Sequence, residues 1–373
     1  MTTRGIPSKE NPLLGIFELD QAKALNSIGH EVVLLSMDFR SIRRRRPLGY
    51  NSYKIEGVSI EELSLPIGNL PRNLLIGIGE YGIKKLMKLA SDKYGLPELL
   101  HSHFIINTCI MSRIVNNDIP FVVTEHSSEI NSELTKSQLL QYKAAYSKAD
   151  ALISVSCSLK NRIKELFDVD SQCIHNIVDV NSFTRKSFDT RVIKKNVFTF
   201  ITVAGLSFNK RIDLVIGAIK KLNDDGFNTE LIIVGDGSEK KNLDNLTATL
   251  KIKKKVRFAG KISRNEIGEI MKEADCFVLP SRSETFGVSF IEAMASGLPV
   301  IATRCGGPED FVNKKNGLLI PVDDLDALVL AMKKMIINNL SYNRKEISEY
   351  AVNTFSPTSI AKQIEKIYYT FVN

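Results

Sequence analysis

The sequence predicts an α/β protein made of two parallel-sheet domains, and three observations carry that prediction. The chain has 373 residues, too many for one ordinary α/β core and suited to two domains of about 170–190 residues. Apolar strand-like runs alternate with amphipathic helix-like segments almost throughout, the pattern of parallel sheets. Several of those runs release polar or glycine-bearing turns at their carboxyl ends, where open α/β sheets place ligand groups.

In the first half the runs predict strands at Glu31–Met37, Glu98–His101, Phe121–Thr124, Ala151–Ser154 and Cys173–Ile177. In the second half they predict Phe198–Val203, Glu230–Val234, Val256–Phe258, Cys276–Leu279, Val300–Ala302 and Gly317–Ile320. Helices are expected between them, among others at Phe17–Ile28, Leu139–Lys148, Lys210–Leu222 and Ile262–Glu273. The polar stretch from Asn181 to Asn196 lacks periodicity and is expected to link the domains. A last helix, about Thr358 to Phe371, follows Phe355-Ser356-Pro357.

Composition narrows the function. Charged residues at 25% and apolar residues at 43% describe a globular protein. No apolar run approaches the roughly 18–20 residues that span a bilayer, and Met1-Thr2-Thr3-Arg4-Gly5-Ile6-Pro7 lacks the apolar centre of a signal peptide. Cytoplasmic residence is expected, with a peripheral position at the inner face of the plasma membrane as a variant. The five cysteines show no CxxC pairing and are expected to be core residues in a reducing compartment. A net charge of +8 calls for an anionic partner. The run Arg43-Arg44-Arg45-Arg46 fits a membrane-surface contact or a solvated loop. Ile67 to Lys88 fits a core helix or, if exposed, an anionic membrane interface. Charge alone favours nucleic acid, but no nucleic-acid reading module accompanies it.

The most informative stretch is Ser283-Glu284-Thr285-Phe286-Gly287-Val288-Ser289-Phe290-Ile291-Glu292-Ala293. A strand runs into it, and a helix expected at about Gly287 to Ser296 leaves it, stopped by Gly297-Leu298-Pro299. That geometry aims free N–H groups and a helix dipole at an anion. Two carboxylates beside a phosphate site suit sugar hydroxyls on either side of a diphosphate, the shape of a nucleotide sugar. The spacing by itself also fits a strand followed by an amphipathic helix with surface glutamates.

With its flanks, Glu284, Phe286, Gly287, Glu292, Ala293, Met294, Ala295, Gly297, Pro299, Val300, Ile301 and Ala302, the stretch resembles the E-x7-E signature of retaining glycosyltransferases of family 4. The resemblance implies the GT-B architecture: two Rossmann-like domains facing across a cleft, with the C-terminal helix crossing back. The implied domains are residues 1–185, acceptor-binding and completed by 356–373, and residues 190–355, donor-binding. The implied reaction moves a sugar from a nucleotide diphosphate sugar, of UDP or GDP type, to a glycan or polyprenyl-diphosphate-linked acceptor in bacterial polysaccharide synthesis. Front-face attack with retention is expected, because no nucleophile stands out. Neither a metal nor another cofactor is expected, and Asp323-Asp324-Leu325-Asp326 is taken as a helix cap. A sugar-nucleotide epimerase of similar architecture, or a silent nucleotide-sugar-binding subunit, are the alternatives.

Residue by residue, the resemblance gives catalytic roles to His126, Glu284 and Lys210. Val203-Ala204-Gly205-Leu206-Ser207-Phe208-Asn209-Lys210-Arg211 matches the family's VGRLxxxKG element, with Gly205 in place of its arginine. Lys210 is expected on the diphosphate, and Arg211 as a substitute charge. Gly205, Gly235, Lys261, Thr285, Phe286, Gly287 and Val288 complete the expected donor set. Glu292 is assigned to ribose and Glu284 to the transferred sugar. Gly15, His103 and Glu125 are expected on the acceptor side, and Asn176-Ile177-Val178-Asp179 resembles the family's element at the domain junction. Relatives also carry an apolar strand before the Arg4-Gly5-Ile6-Pro7 turn. Here only Met1-Thr2-Thr3 precede it, so the first strand is expected to be cut, mis-assigned or lost.

Overall fold

The computed structural model describes residues 1–8, 11, 14–39, 41, 47–68, 70–116, 118–184 and 197–372. The Arg43–Arg46 run and residues 185–196 of the expected linker lie outside the described residues. The chain forms two compact units, Met1–Ile177 with Pro357–Asn373, and Val178–Ser356.

The first unit contains, in order, β1 (Thr2–Thr3), α1 (Ile16–Ser27), β2 (Val33–Asp38), β3 (Gly49–Ile55), β4 (Val58–Ser64) and α2 (Arg72–Tyr94). It continues with β5 (Leu100–His103), α3 (Phe104–Met111), β6 (Phe121–Glu125), α4 (Lys136–Tyr146), β7 (Ala151–Ser154), α5 (Cys157–Phe167) and β8 (Gln172–Cys173). The strand orders are β1-β2-β4-β3 and β5-β6-β7-β8. The first strand is therefore present as a two-residue stub, Thr2 and Thr3 pairing in parallel with Leu35 and Ser36. Thr2 Oγ1 donates to Ser102 Oγ of β5 at 3.2 Å and so ties the two sheets together.

All pairings in this unit are parallel except β3 with β4. Glu56 and Gly57 join those two strands with φ of 47° and 87°, the left-handed pair of a two-residue hairpin turn. Glu61 in β4 is fully buried because Ser52 Oγ and Tyr94 Oη donate to it at 2.9 and 2.8 Å, joined by Tyr50 and Lys93. α2 buries Ile76, Ile83 and Leu86 and leaves Leu74, Tyr81, Lys84, Lys85 and Lys88 exposed.

The second unit contains β9 (Phe198–Val203), α6 (Ile212–Asp224), β10 (Thr229–Val234), α7 (Lys240–Thr249), β11 (Val256–Gly260) and α8 (Arg264–Met271). Then follow β12 (Cys276–Leu279), α9 (Val288–Ala295), β13 (Val300–Thr303), β14 (Gly317–Ile320), α10 (Leu325–Ile337) and α11 (Arg344–Phe355). Its six strands are all parallel, in the order β11-β10-β9-β12-β13-β14. Asp324 caps α10, its carboxylate accepting from Ala327 N at 2.8 Å, as expected of the acidic cluster.

The last helix, α12 (Pro357–Tyr368), belongs to the first unit. Its Ile360, Ile364 and Ile367 join Leu19, Ala22 and Leu25 of α1 and Leu34, Ile60 and Val122 of the sheet in one core cluster. Each fully buried isoleucine contributes about 1.5–3 kcal/mol, so the chain's end is part of the first unit's core. Cys109 and Cys276 are buried as expected, whereas Cys157 is exposed, its thiol 3.2 Å from Cys173 Sγ. Among the described residues no helix is long and apolar enough to cross a membrane.

Candidate functional site

Because all six strands of the second unit run the same way, every carboxyl end falls on one edge. Gly205 follows β9, Gly235 follows β10, Lys261 follows β11, and Glu284 to Val288 follow β12. Strand order reverses between β9 and β12, and at such a reversal the loops part to leave a crevice for ligand.

Hydrogen bonds knit the loops at that point. Asn209 Nδ2 donates to Ser283 O at 2.9 Å, and Arg282 N donates to Asn209 O at 2.8 Å. Glu284 N donates to Cys305 O at 3.1 Å, and Gly307 N to Glu284 O at 2.9 Å. The result places Lys210 Nζ 2.7 Å from Glu284 Oε1, which also accepts from Ser281 Oγ at 2.7 Å. The carboxylate is buried, and the ammonium and hydroxyl offset its desolvation. Its Oε2 has no protein partner among the described residues.

Beside this pair α9 begins at Gly287, whose φ of 99° lets the chain turn into the helix. Among the described residues no side chain caps that helix, and only Phe290 N of its first turn is engaged, donating to Gly287 O at 3.0 Å; the Val288 and Ser289 N–H groups and the dipole face outward to an anion. The Phe286 ring is buried against Phe311 and Phe355, at centroid distances of 5.5 and 5.7 Å, so it offers only backbone to a ligand. Thr285 and Val288 are half-buried and Lys261 is exposed. Gly205 has open space where a side chain would start, whereas a Cβ on Gly235 would stand 1.9 Å from Ala204 O.

Two expected donor residues are otherwise engaged. Arg211, expected as a substitute charge, has its guanidinium bound to Asp213 and Asp323 and is only 12% exposed. Asp323 is shared with Arg282, whose guanidinium lies 4.2 Å over the Phe208 ring. Arg211 has φ 51°, a left-handed conformation that suits the glycine of the motif it resembles. Glu292 is buried in α9 with Arg264 Nε 3.4 Å from its carboxylate, so ribose would have to share it. The sequence gives no role to Ser281, Asn209 or Arg264, and it reads Asp323 as part of a helix cap where the structure pairs it with Arg211 and Arg282. Arg264 carried a faint signal, since it opens a helix behind a Ser263/Glu266 capping box.

The first unit gathers the acceptor-side candidates at the carboxyl ends of its own strands. Gly15 caps α1, and a Cβ there would stand 1.8 Å from Gly5 O, so close backbone approach requires glycine. Glu125 faces inward. Its Oε1 accepts from His126 N and Ser127 N at 2.9 and 2.6 Å and its Oε2 from Tyr146 Oη at 2.6 Å, which makes it the anchor of the loop and removes it from ligand contact. Burial raises its pKa, against those hydrogen bonds. His126 is buried with both ring nitrogens engaged: Nδ1 lies 2.7 Å from Asn176 Oδ1 and Nε2 lies 3.1 Å from His103 Nδ1. Phe104 and Phe17 stack on its ring at 4.7 and 6.0 Å. Burial first, then Arg4, push its pKa down to about 3.

Known proteins resemble the chain across both units. Residues 17–182 match the family described as Glycosyltransferase Family 4, and residues 183–354 match Glycosyl transferases group 1. An Escherichia coli relative, UDP-Gal:alpha-D-GlcNAc-diphosphoundecaprenol alpha-1,3-galactosyltransferase, is 30% identical over 308 residues, 76% of each chain. Glycogen synthase of Mycobacterium tuberculosis is 25% identical over 344 residues, 86% of this chain and 82% of the relative. Among solved structures, sucrose-phosphate synthase from Thermosynechococcus elongatus superposes with a TM-score of 0.78 at 21% identity, over 95% of this chain and 92% of that one. Anabaena HepE in complex with UDP superposes with a TM-score of 0.76 at 18% identity, over 99% and 98%. Two Rossmann-like units, a knit crevice at the reversal of the second sheet and these likenesses lead to one assignment: the chain belongs to the family 4-type glycosyltransferases of GT-B fold and is a hexosyltransferase.

Proposed function

We propose that the chain transfers a hexose, with retention at the anomeric carbon, from a UDP- or GDP-sugar to a hydroxyl of a glycan or polyprenyl-diphosphate-linked acceptor. The setting we favour is assembly of a bacterial capsule, exopolysaccharide or lipopolysaccharide. The name of the E. coli relative, with its diphosphoundecaprenol acceptor, and the UDP bound by HepE support the substrate classes. The observation that carries the reading is the Lys210–Glu284 pair beside the uncapped start of α9.

In this reading the second unit binds the donor and the first the acceptor. As the bond from the anomeric carbon to the diphosphate oxygen breaks, charge gathers on the leaving phosphate. The α9 N–H groups and two remaining Lys210 N–H bonds meet that charge as it develops. Glu284 Oε2 accepts from a hydroxyl of the transferred sugar. The acceptor oxygen forms the new bond on the face the phosphate leaves, and the phosphate oxygen takes its proton. No metal enters this scheme. The exposed α2 face, with Leu74 and Tyr81 beside Lys84, Lys85 and Lys88, suits an anionic lipid surface carrying such an acceptor.

Incubating the protein and EDTA with UDP- and GDP-sugars and a short-chain diphosphoryl-N-acetylglucosamine lipid tests the proposal. An α-configured product by NMR from an α-linked donor supports it. An inverted product, a metal requirement, or an altered nucleotide sugar released without transfer would sink it.

A further inference from the structure

His103 ends β5 and His126 follows β6, both at the carboxyl edge of the first unit's sheet. Asn176 Oδ1 can only accept, so the His126 Nδ1 lying 2.7 Å from it carries a proton. Burial holds His126 neutral, and it drives His103 well below the usual histidine range as well. A neutral ring protonated at Nδ1 has its lone pair on Nε2. His103 Nδ1, 3.1 Å away, must therefore donate to it. The polarity runs in one direction along the file, and it leaves a bare lone pair on His103 Nε2. That atom is buried and has no hydrogen-bond partner among the described residues.

His101, two positions earlier on the same strand, shows what a structural histidine looks like here. Its two nitrogens meet Thr124 Oγ1 at 2.7 Å and Tyr368 Oη at 2.5 Å. His103 differs, and the next residue differs too. Phe104 has φ 64°, a left-handed conformation that is strained for an aromatic residue. The Arg4 guanidinium, 3.2 Å over its ring, and the His126 ring, 4.7 Å away, hold it there. An orphaned acceptor and a strained backbone at adjacent positions each call for explanation by a ligand.

We infer that His103 Nε2 is the acceptor of a hydrogen bond from a hydroxyl of the sugar-acceptor substrate, with His126 and Asn176 as positioning residues that fix its tautomer. The inference rests on the reading that the first unit takes the acceptor. Half-buried Arg4 and Phe17 border the file, over the Phe104 ring and against the His126 ring, and in this proposal the groups covering the nitrogen move aside when the acceptor binds.

Long-range 1H–15N spectra of the histidine rings, assigned with single His→Gln variants, test the file in the unaltered chain. Nδ1–H tautomers at both His103 and His126 are expected, against the Nε2–H form that free imidazole side chains favour. Adding the diphosphoryl-N-acetylglucosamine lipid with UDP should move the His103 Nε2 resonance and leave His101 in place. His103→Ala should raise KM for that lipid at least tenfold while UDP still stabilises the protein, and His103→Gln, which keeps an acceptor atom, should recover part of the loss. An Nε2–H tautomer at His103, or an unchanged KM in a folded His103→Ala that still binds UDP, overturns the inference. Loss of UDP stabilisation in the unaltered chain would instead count against the glycosyl-transfer reading itself.

Discussion

Lys210 Nζ lies 2.7 Å from Glu284 Oε1, a contact made between residues 74 positions apart by loops that follow β9 and β12. The contact explains how a carboxylate is tolerated where a diphosphate is expected. The ammonium offsets the carboxylate while the site is empty and still has donors for the leaving group.

Lys210→Ala is expected to lower kcat about 10²-fold, the usual loss when one preorganised donor to a developing charge is removed. Glu284→Ala should cost a similar factor. Because the two groups share a hydrogen bond, the double variant should fall well short of the product of the single losses. Steady-state rates of the four proteins check this, and full multiplicativity would show that the pair does not act together.

Two glycines on the same edge should respond in opposite ways. Gly205 has open space around its missing side chain, and Gly205→Arg should tighten UDP binding about tenfold through one charge-assisted hydrogen bond. Gly235 has φ 131° and Ala204 O 1.9 Å from an added Cβ, so Gly235→Ala should destabilise the chain by about 2 kcal/mol or more. Calorimetric titration and denaturant melts measure the two effects.

Much of this is legible in the sequence alone. Strands such as Phe198–Val203 and Cys276–Leu279, largely buried and mostly apolar, are legible to the residue. The hairpin of β3 and β4 is not, because Glu61 and Glu62 interrupt the apolar pattern. Their burial is licensed by tyrosine, serine and lysine partners that come from elsewhere. The same limit applied at the site. Glu284 and Lys210 were found because each sits in its own local motif. The occupation of Arg211 by Asp323, of Glu292 by Arg264 and of His126 by Asn176 arises between loops distant in sequence. Local pattern carries no trace of such pairings.

Acid should weaken the first unit. His126 has its folded pKa lowered to about 3, and those of His101 and His103 are also well below the ordinary value, all by burial first. A group depressed in the folded state contributes its stability above the unfolded value of about 6.5 and loses it as pH falls towards the folded value. His126 should therefore cost about 1 kcal/mol between pH 6.5 and 5.5, and His101 and His103 should add to the loss in the same direction. Glu125, raised by burial, has the opposite sign and softens the loss at lower pH. Urea melts at pH 7.5, 6.5 and 5.5 check the slope. A flat profile would mean that the imidazoles are not buried neutral.

The α2 face makes a separate prediction. Replacing Lys84, Lys85 and Lys88 with glutamate should abolish flotation with vesicles containing about 30% anionic lipid, at about 1 kcal/mol per charge. Tyr81→Ser should weaken it less, and salt should weaken the unaltered chain. UDP binding should be untouched throughout. Salt-insensitive flotation, or none by the unaltered chain, would remove the membrane from the account.

Hydrogen exchange of the whole chain with and without UDP, in EDTA, tests donor binding at the Lys210–Glu284 crevice. Protection should concentrate in two segments, residues 204–211 after β9 and 283–292 after β12, and be lost in Lys210→Ala. Protection elsewhere with those segments unchanged, or protection that appears only when metal is restored, would contradict donor binding there.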